Sequence, residues 1–287
     1  MRLRELLRGA GSAEACRRRR FYRVLQCLYR LDSHEITRAV GGASGNSVRA
    51  RCLRGIWHRG RANVRSLLAL RKVCDFRAIA RIARSLFELT LEWQLIERIP
   101  DALVKIATFS QVERLRCARR MVAYREAHPA CDESVALQAR FIAEHAAAIE
   151  AECRLLWPGV ASVEHWSGMN LQDAVGLLGG YFQEVTEVRF PELSWYTSAD
   201  GVMGLSLETD AYDLFLASHL QLAAQLYFIL LAAIVKEYPV ELNGRLTGRM
   251  KAVEGELGEL TKQHLTAFER ALSGSPQQGE AQPVGPD

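Results

Sequence analysis

Proline is missing from the first 99 residues of this 287-residue chain, and afterwards it falls between blocks rather than inside them. Pro100, Pro129, Pro158, Pro191 and Pro239 divide stretches in which apolar residues recur every three or four positions. Because proline lacks the amide proton and clashes with the preceding turn, this placement permits long helices and marks their ends. No alternating β-branched run bounded by turn residues competes with that pattern. The expected fold class is therefore all-α, a bundle of about six long helices preceded by a basic helical extension. The first three prolines are equally spaced, but the blocks between them are dissimilar, which reads as helix hairpins rather than a repeat.

The pattern predicts helices near 13–30 and 48–58, separated by the Gly41–Ser47 break. Longer ones follow over about 62–98, 102–127, 132–156, 170–188, 208–237 and 241–272. Residues 1–61 thus read as an Arg-rich extension, 62–272 as the helical bundle and 273–287, polar and rich in Pro and Gly, as a disordered tail. Leu214–Val235 is a run without formal charge, long enough to cross a bilayer. Its polar Ser218, His219, Gln221 and Gln225, and its flanks of mixed charge, favour a buried core helix, so membrane association is not expected.

Charge is divided unevenly. Residues 1–84 hold 21 of the 37 basic residues and five of the 33 acidic ones, a net +16 that leaves −12 for the remainder. Arg17, Arg18, Arg19 and Arg20 precede Phe21 and Tyr22, and Arg49, Arg51 and Arg54 follow the Gly-rich break, with Trp57 nearby. Guanidinium groups bind phosphate in a bidentate manner and stack on bases, so RNA or DNA is the expected partner of this region. A competing expectation is that the basic arm folds onto its own acidic body. Seven cysteines without a CxxC pair, and an N-terminus whose apolar stretches are too short for a signal-peptide core, point to the cytoplasm.

Two further patterns concern packing. From Arg77 to Glu92, a 100° step per residue puts Arg77, Arg81, Arg84, Glu88 and Glu92 in one narrow stripe, with apolar residues around most of the remaining circumference. The stripe is either a solvated face or an ionic cluster lining a cleft, in which Arg84, Glu88 and Glu92, with Asp200, are candidate catalytic groups. Met250, Val253, Leu257, Leu260, His264 and Phe268 form a short heptad-like seam that closes the bundle or, alternatively, makes a homodimer contact.

Motifs for familiar chemistries are lacking. HExxH, zinc-finger spacing, GxGxxG, the phosphate-binding loop and GxSxG do not occur, so neither a metal nor a cofactor is expected. Arg140-Phe-Ile-Ala-Glu-His145 resembles the R-x4–6-H pattern of the HEPN superfamily, helical bundles that include metal-independent ribonucleases of toxin and defence systems. That resemblance implies His145 as a proton-transfer group and Arg140 as a phosphate-stabilising one. On a straight helix, however, the two diverge by 140°, and Arg140 has Glu144 in ion-pairing position.

A broader likeness runs from about 62 to 240. Arg84-Ser-Leu-Phe-Glu88, His165-Trp-Ser-Gly-Met169, Tyr181 and Leu193-Ser-Trp-Tyr-Thr-Ser198 resemble segments of a family of uncharacterised bacterial all-helical proteins. Its usual histidine shortly after the last serine is replaced here by Asp200 or lost. The resemblance implies the fold and carries no catalytic role. Two functional expectations result: an interaction module without catalysis that contacts nucleic acid through its Arg-rich N-terminus, and a HEPN-like ribonuclease.

Overall fold

The computed structural model describes residues 2–42, 47–72, 75–128, 135–160, 162–191, 209–238 and 244–273, and these contain helices and no strand. The chain is all-α. In order come α1 (Arg2–Leu31), a π-helical turn (Asp32–Ile36), α2 (Thr37–Gly42), α3 (Val48–Ala69), α4 (Phe76–Arg98), α5 (Ala102–Ala127) and α6 (Ala136–Leu156). Then follow α7 (Leu171–Leu178), α8 (Gly180–Glu184), a second π-helical turn (Val185–Arg189), α9 (Thr209–Glu237) and α10 (Gly244–Ser273). They divide into two compact units, one made of Met1–Thr90 with Glu187–Asp287 and the other of Leu91–Thr186. This division differs from the expected 1–61, 62–272 and 273–287, most of the last lying outside the described residues.

In the first unit, α9 is the central element. Leu216, Ala217, Leu220, Ala223, Ala224, Leu226, Tyr227 and Leu231 are all fully buried, so several faces of the helix are covered, as expected of a helix apolar all round. By length and composition it could cross a membrane, and two-thirds of its most apolar window is buried inside this unit. Helix α1 packs on it through Phe21, Tyr22, Val24, Leu25, Leu28 and Leu31. The second half of α1 is thus part of the core.

Helix α3 is capped by Ser47, whose Oγ accepts the Ala50 amide at 3.1 Å, and it buries Ala50, Leu53, Trp57, Gly60, Val64 and Leu67 at steps of three and four. Helix α10 buries Leu246, Met250, Val253, Leu257, Leu260 and His264 with the same rhythm against α1 and α9. The seam read from the sequence is therefore occupied within the chain; Phe268 is not among the described side chains.

One expected helix, 62–98, is in fact two. The expected gap between 58 and 62 is closed, since α3 runs through Gly60, where a Cβ would lie 3.1 Å from Leu230 Cδ1 of α9. The residue is a notch for close helix approach. The real break ends at Asp75, whose Oδ1 accepts the Ala78 amide at 3.0 Å and starts α4. Similarly, the expected helix 170–188 is interrupted at Gly179 and Gly180, with φ of 62° and 50°.

The second unit contains the end of α4, the antiparallel pair α5–α6 and the segment from Trp157 to Thr186. Thr108 to Glu152 (2.9 Å) and Arg119 to Glu150 (2.5 Å) cross-link the pair, and Arg114 lies over the Phe141 ring at 4.1 Å. Its core is thin. Helix α6 buries only Ile149, and Leu137 and Leu155 are about four-fifths exposed.

The end of α4 adds Leu91, Trp93, Leu95 and Ile96, and in the turn after α6 Trp157, Val163 and Trp166 are covered, with Trp157 Nε1 donating to the Trp166 carbonyl at 3.1 Å. Gly168 sits there at φ 75°, and a Cβ would stand 2.7 Å from Trp157 Cδ1. Gly168→Ala is expected to destabilise this unit by about 3 kcal/mol, combining left-handed strain with overpacking. Gly159→Ala, at φ 76° with open space around it, is expected to cost only about 1 kcal/mol. Urea unfolding of the two variants measures the difference.

Candidate functional site

The arginines of the first unit fall into two groups, and the geometry of α1 explains why. With Phe21 as origin, the buried residues Phe21, Tyr22, Val24, Leu25, Leu28 and Leu31 span roughly half of the helical wheel. Arg17, Arg18 and Arg20 lie on or beside that arc, whereas Arg19, Arg23 and Arg30 lie opposite, within about 40° of one another. Accordingly, Arg18 pairs with Asp213 of α9, and Arg20 donates to Gln263 of α10 at 2.9 Å. Arg17 is half-buried and raises the local positive potential at His264. Arg19, Arg23 and Arg30 are exposed.

Helix α3 repeats the division. Arg49 forms a two-pronged pair with Glu237 (2.9 and 3.0 Å), and Arg54 is half-buried. Arg51, Arg59 and Arg65 are exposed within an arc of about 120°. On α4, Arg77 and Arg81 are exposed too. None of these eight exposed arginines makes an ion pair among the described residues, and three acids of the same stretch are engaged: Asp32 is buried, Glu35 pairs with Arg249 and Asp75 caps α4.

Of the seven arginines singled out in the sequence, only Arg19 and Arg51 are thus exposed. Arg59 and Arg65 belong to the same basic run after the Gly-rich break, whereas Arg23 and Arg30 carry no signal in the run itself and emerge only from a wheel centred on the apolar positions of α1.

A buried polar node underlies this surface. Asp32, fully buried in the π-helical turn, accepts from Trp57 Nε1 at 2.8 Å and from the Tyr227 hydroxyl, and Arg61 Nε stands 3.7 Å away. Arg61 also donates to Thr37 Oγ1 (2.8 Å) and Ser33 Oγ (3.2 Å). Loss of water pushes the Asp32 carboxyl above its ordinary value despite these donors, and burial beside that carboxylate raises the Tyr227 hydroxyl. Nearby in the same unit, Ser218 Oγ lies 2.8 Å from His264 Nε2, and Arg189 donates to Gln221 at 3.3 Å. Burial lowers His219 to about 3 and His264 to about 4, with Arg189 adding repulsion at both and Arg17 at His264.

The α4 stripe is distributed along the helix rather than gathered. Arg84 pairs with Glu88 at 2.9 Å and covers the Phe190 ring at 4.8 Å, both groups being well solvated. Asp200 lies outside the described residues. Glu92, in the second unit, has its own partners there: Oε1 is 2.5 Å from His165 Nε2, and Oε2 accepts from Trp166 Nε1. The sequence singled out Glu92 and the His165–Met169 segment separately and gave no sign that they meet.

Arg140 and His145 both project from the exposed side of α6. Arg140 pairs with Glu144 at 2.7 Å, and His145 Nε2 is 3.8 Å from the same carboxylate. Among the described residues no group of three or more His, Cys, Asp or Glu is placed to hold a metal ion. Compared with known proteins, the chain matches no family model, no curated protein and no solved structure.

Proposed function

We propose that the first unit is an interaction module that contacts the phosphate backbone of nucleic acid, and that its contact groups are the outward arginines rather than the whole Arg17–Arg20 run. The observation that carries this reading is the set of eight exposed arginines on α1, α3 and α4 with no ion-pair partner among the described residues. Surface charge of one sign usually attracts compensating acids; here Asp32 is buried, Glu35 pairs with Arg249 and Asp75 caps α4. Arg residues four or seven apart on one face stand about 6 or 10 Å apart along the axis, so several phosphates can be engaged at once. In this reading the inward arginines hold the helices that present the outward ones, and the protein works in the cytoplasm.

The test uses the full chain. If about six arginines neutralise phosphates, the slope of log K against log salt on duplex DNA approaches −5. Replacing Arg19, Arg23, Arg30, Arg51, Arg59 and Arg65 by Gln is expected to flatten that slope and weaken binding at least a hundredfold at low salt, with melting temperature preserved. Arg49→Gln, which removes the pairing to Glu237, is expected to do the reverse. Filter binding at several salt concentrations decides; affinity indifferent to salt, or retained by the six-fold variant, defeats the reading.

A further inference from the structure

The partners of Glu92 carry an inference about the second unit that is independent of the arginine surface. His165 Nε2 is 2.5 Å from Glu92 Oε1, and its Nδ1 is 2.7 Å from Ser167 Oγ. Hydrogen positions follow from the neighbours. The Ser167 backbone amide, which can only donate, points at Nδ1 at 3.3 Å, so Nδ1 carries a lone pair. The ring proton is then on Nε2, facing a carboxylate that can only accept. Ser167 Oγ in turn accepts the Met169 amide at 3.1 Å, leaving its own proton for Nδ1. All the hydrogen bonds therefore run in one direction, from serine hydroxyl to imidazole and from imidazole to carboxylate.

That is the arrangement a serine nucleophile requires: a base within reach of the hydroxyl and a third group fixing the base's tautomer. Ser167 is only 5% exposed, whereas His165 and Glu92 are about one-third exposed and line the approach. Trp166 Nε1 holds the second carboxylate oxygen, which prevents Glu92 from rotating away. Gly168, where a side chain would strike Trp157, lets the backbone turn sharply just after the serine.

We propose that Ser167 is an acyl-accepting nucleophile for small carboxylic esters, with His165 as its general base and Glu92 as the positioning residue. In the step, Ser167 Oγ forms a bond to the ester carbonyl carbon while its proton passes to His165 Nδ1. The bond from that carbon to the leaving oxygen then breaks, the leaving group takes the proton back, and water hydrolyses the acyl-serine by the same route. With Ser167 only 5% exposed, a small acyl group is the one expected to reach its hydroxyl.

The probe is p-nitrophenyl acetate with the full-length protein, read by p-nitrophenolate release and by peptide mass mapping of the acetyl adduct. A stoichiometric burst with acetyl on Ser167 is expected, absent from Ser167→Ala and slowed at least tenfold in Glu92→Gln and His165→Ala. Combining the last two substitutions is expected to add little to either alone, as for groups acting in one relay. Ser167→Cys, close in size, keeps a nucleophile and is expected to form the thioester at the same position, which keeps the test valid if another variant folds poorly. No acetyl at position 167 in either the wild type or Ser167→Cys, or equal acylation rates in wild type and Glu92→Gln, overturns the proposal and makes the three residues a clasp between turn and helix.

Discussion

Asp32→Ala is expected to destabilise the first unit by about 4 kcal/mol, because the substitution leaves three groups without their acceptor. Trp57 Nε1 and the Tyr227 hydroxyl both point at the carboxylate in a fully buried setting, and Arg61 loses the charge that it faces. Each unsatisfied donor costs about 1–3 kcal/mol, which makes the sum a large part of the stability of an ordinary domain. Asp32→Asn keeps one acceptor oxygen and removes a charge whose burial is itself unfavourable, so its cost is expected to be about half as large. Urea unfolding at neutral pH orders the three proteins. An Asp32→Ala variant within 1 kcal/mol of wild type would show that the node relaxes or hydrates when the carboxylate is removed.

The second large effect is set by pH. In the unfolded chain His219 and His264 titrate near the ordinary value of 6.5; in the fold they stay neutral down to about 3 and about 4. A group whose folded pKa is lowered in this way stabilises the fold fully above pH 6.5. Below that, the unfolded chain binds protons that the folded one refuses, so stability falls with falling pH until the folded values are reached. The slope approaches about 1.4 kcal/mol per pH unit for each histidine, or about 3–4 kcal/mol for both between pH 6.5 and 5. That window lies above the ordinary carboxylate range, which separates the effect from general acid unfolding. Melting curves at pH 7 and pH 5 measure it, and a His219→Gln, His264→Gln double variant is expected to show much less pH dependence over the same range.

What the sequence made legible was whatever depends on one helix at a time. The apolar rhythm of α10, the buried character of α9 and the Arg84–Glu88 and Arg140–Glu144 pairs all follow from a 100° step and local spacing. Features set by a neighbouring helix were hidden. Residues 59–61 fall between two expected helices, and that Gly60 is a notch inside one helix follows only from Leu230 crossing it. The run Arg17–Arg20 reads as one patch, yet four successive residues cover most of a helix's circumference, so part of it had to turn towards Asp213 and Gln263.

Glu92 and His165 are 73 residues apart, and nothing in a periodicity argument connects them. Ser167, two residues beyond His165, drew notice only through the resemblance of its segment, because a serine beside a histidine carries no spacing signal of its own.

The division into units has a consequence for how the chain comes to be folded. The second unit is continuous, Leu91–Thr186, while the first combines residues from both ends of the sequence. Helix α1 leaves the ribosome before the second unit, whereas the α9 and α10 surfaces that cover Phe21, Leu25 and Leu28 are synthesised after it. At about 5–20 residues per second, an apolar helical face at the N-terminus waits on the order of ten seconds or more for its partners, while the inserted unit has all of its own sequence available earlier. Arg19, Arg23 and Arg30, along the opposite side of that same helix, are expected to keep the waiting segment hydrated, so their replacement by Gln should increase aggregation during synthesis, measured as the soluble fraction on expression.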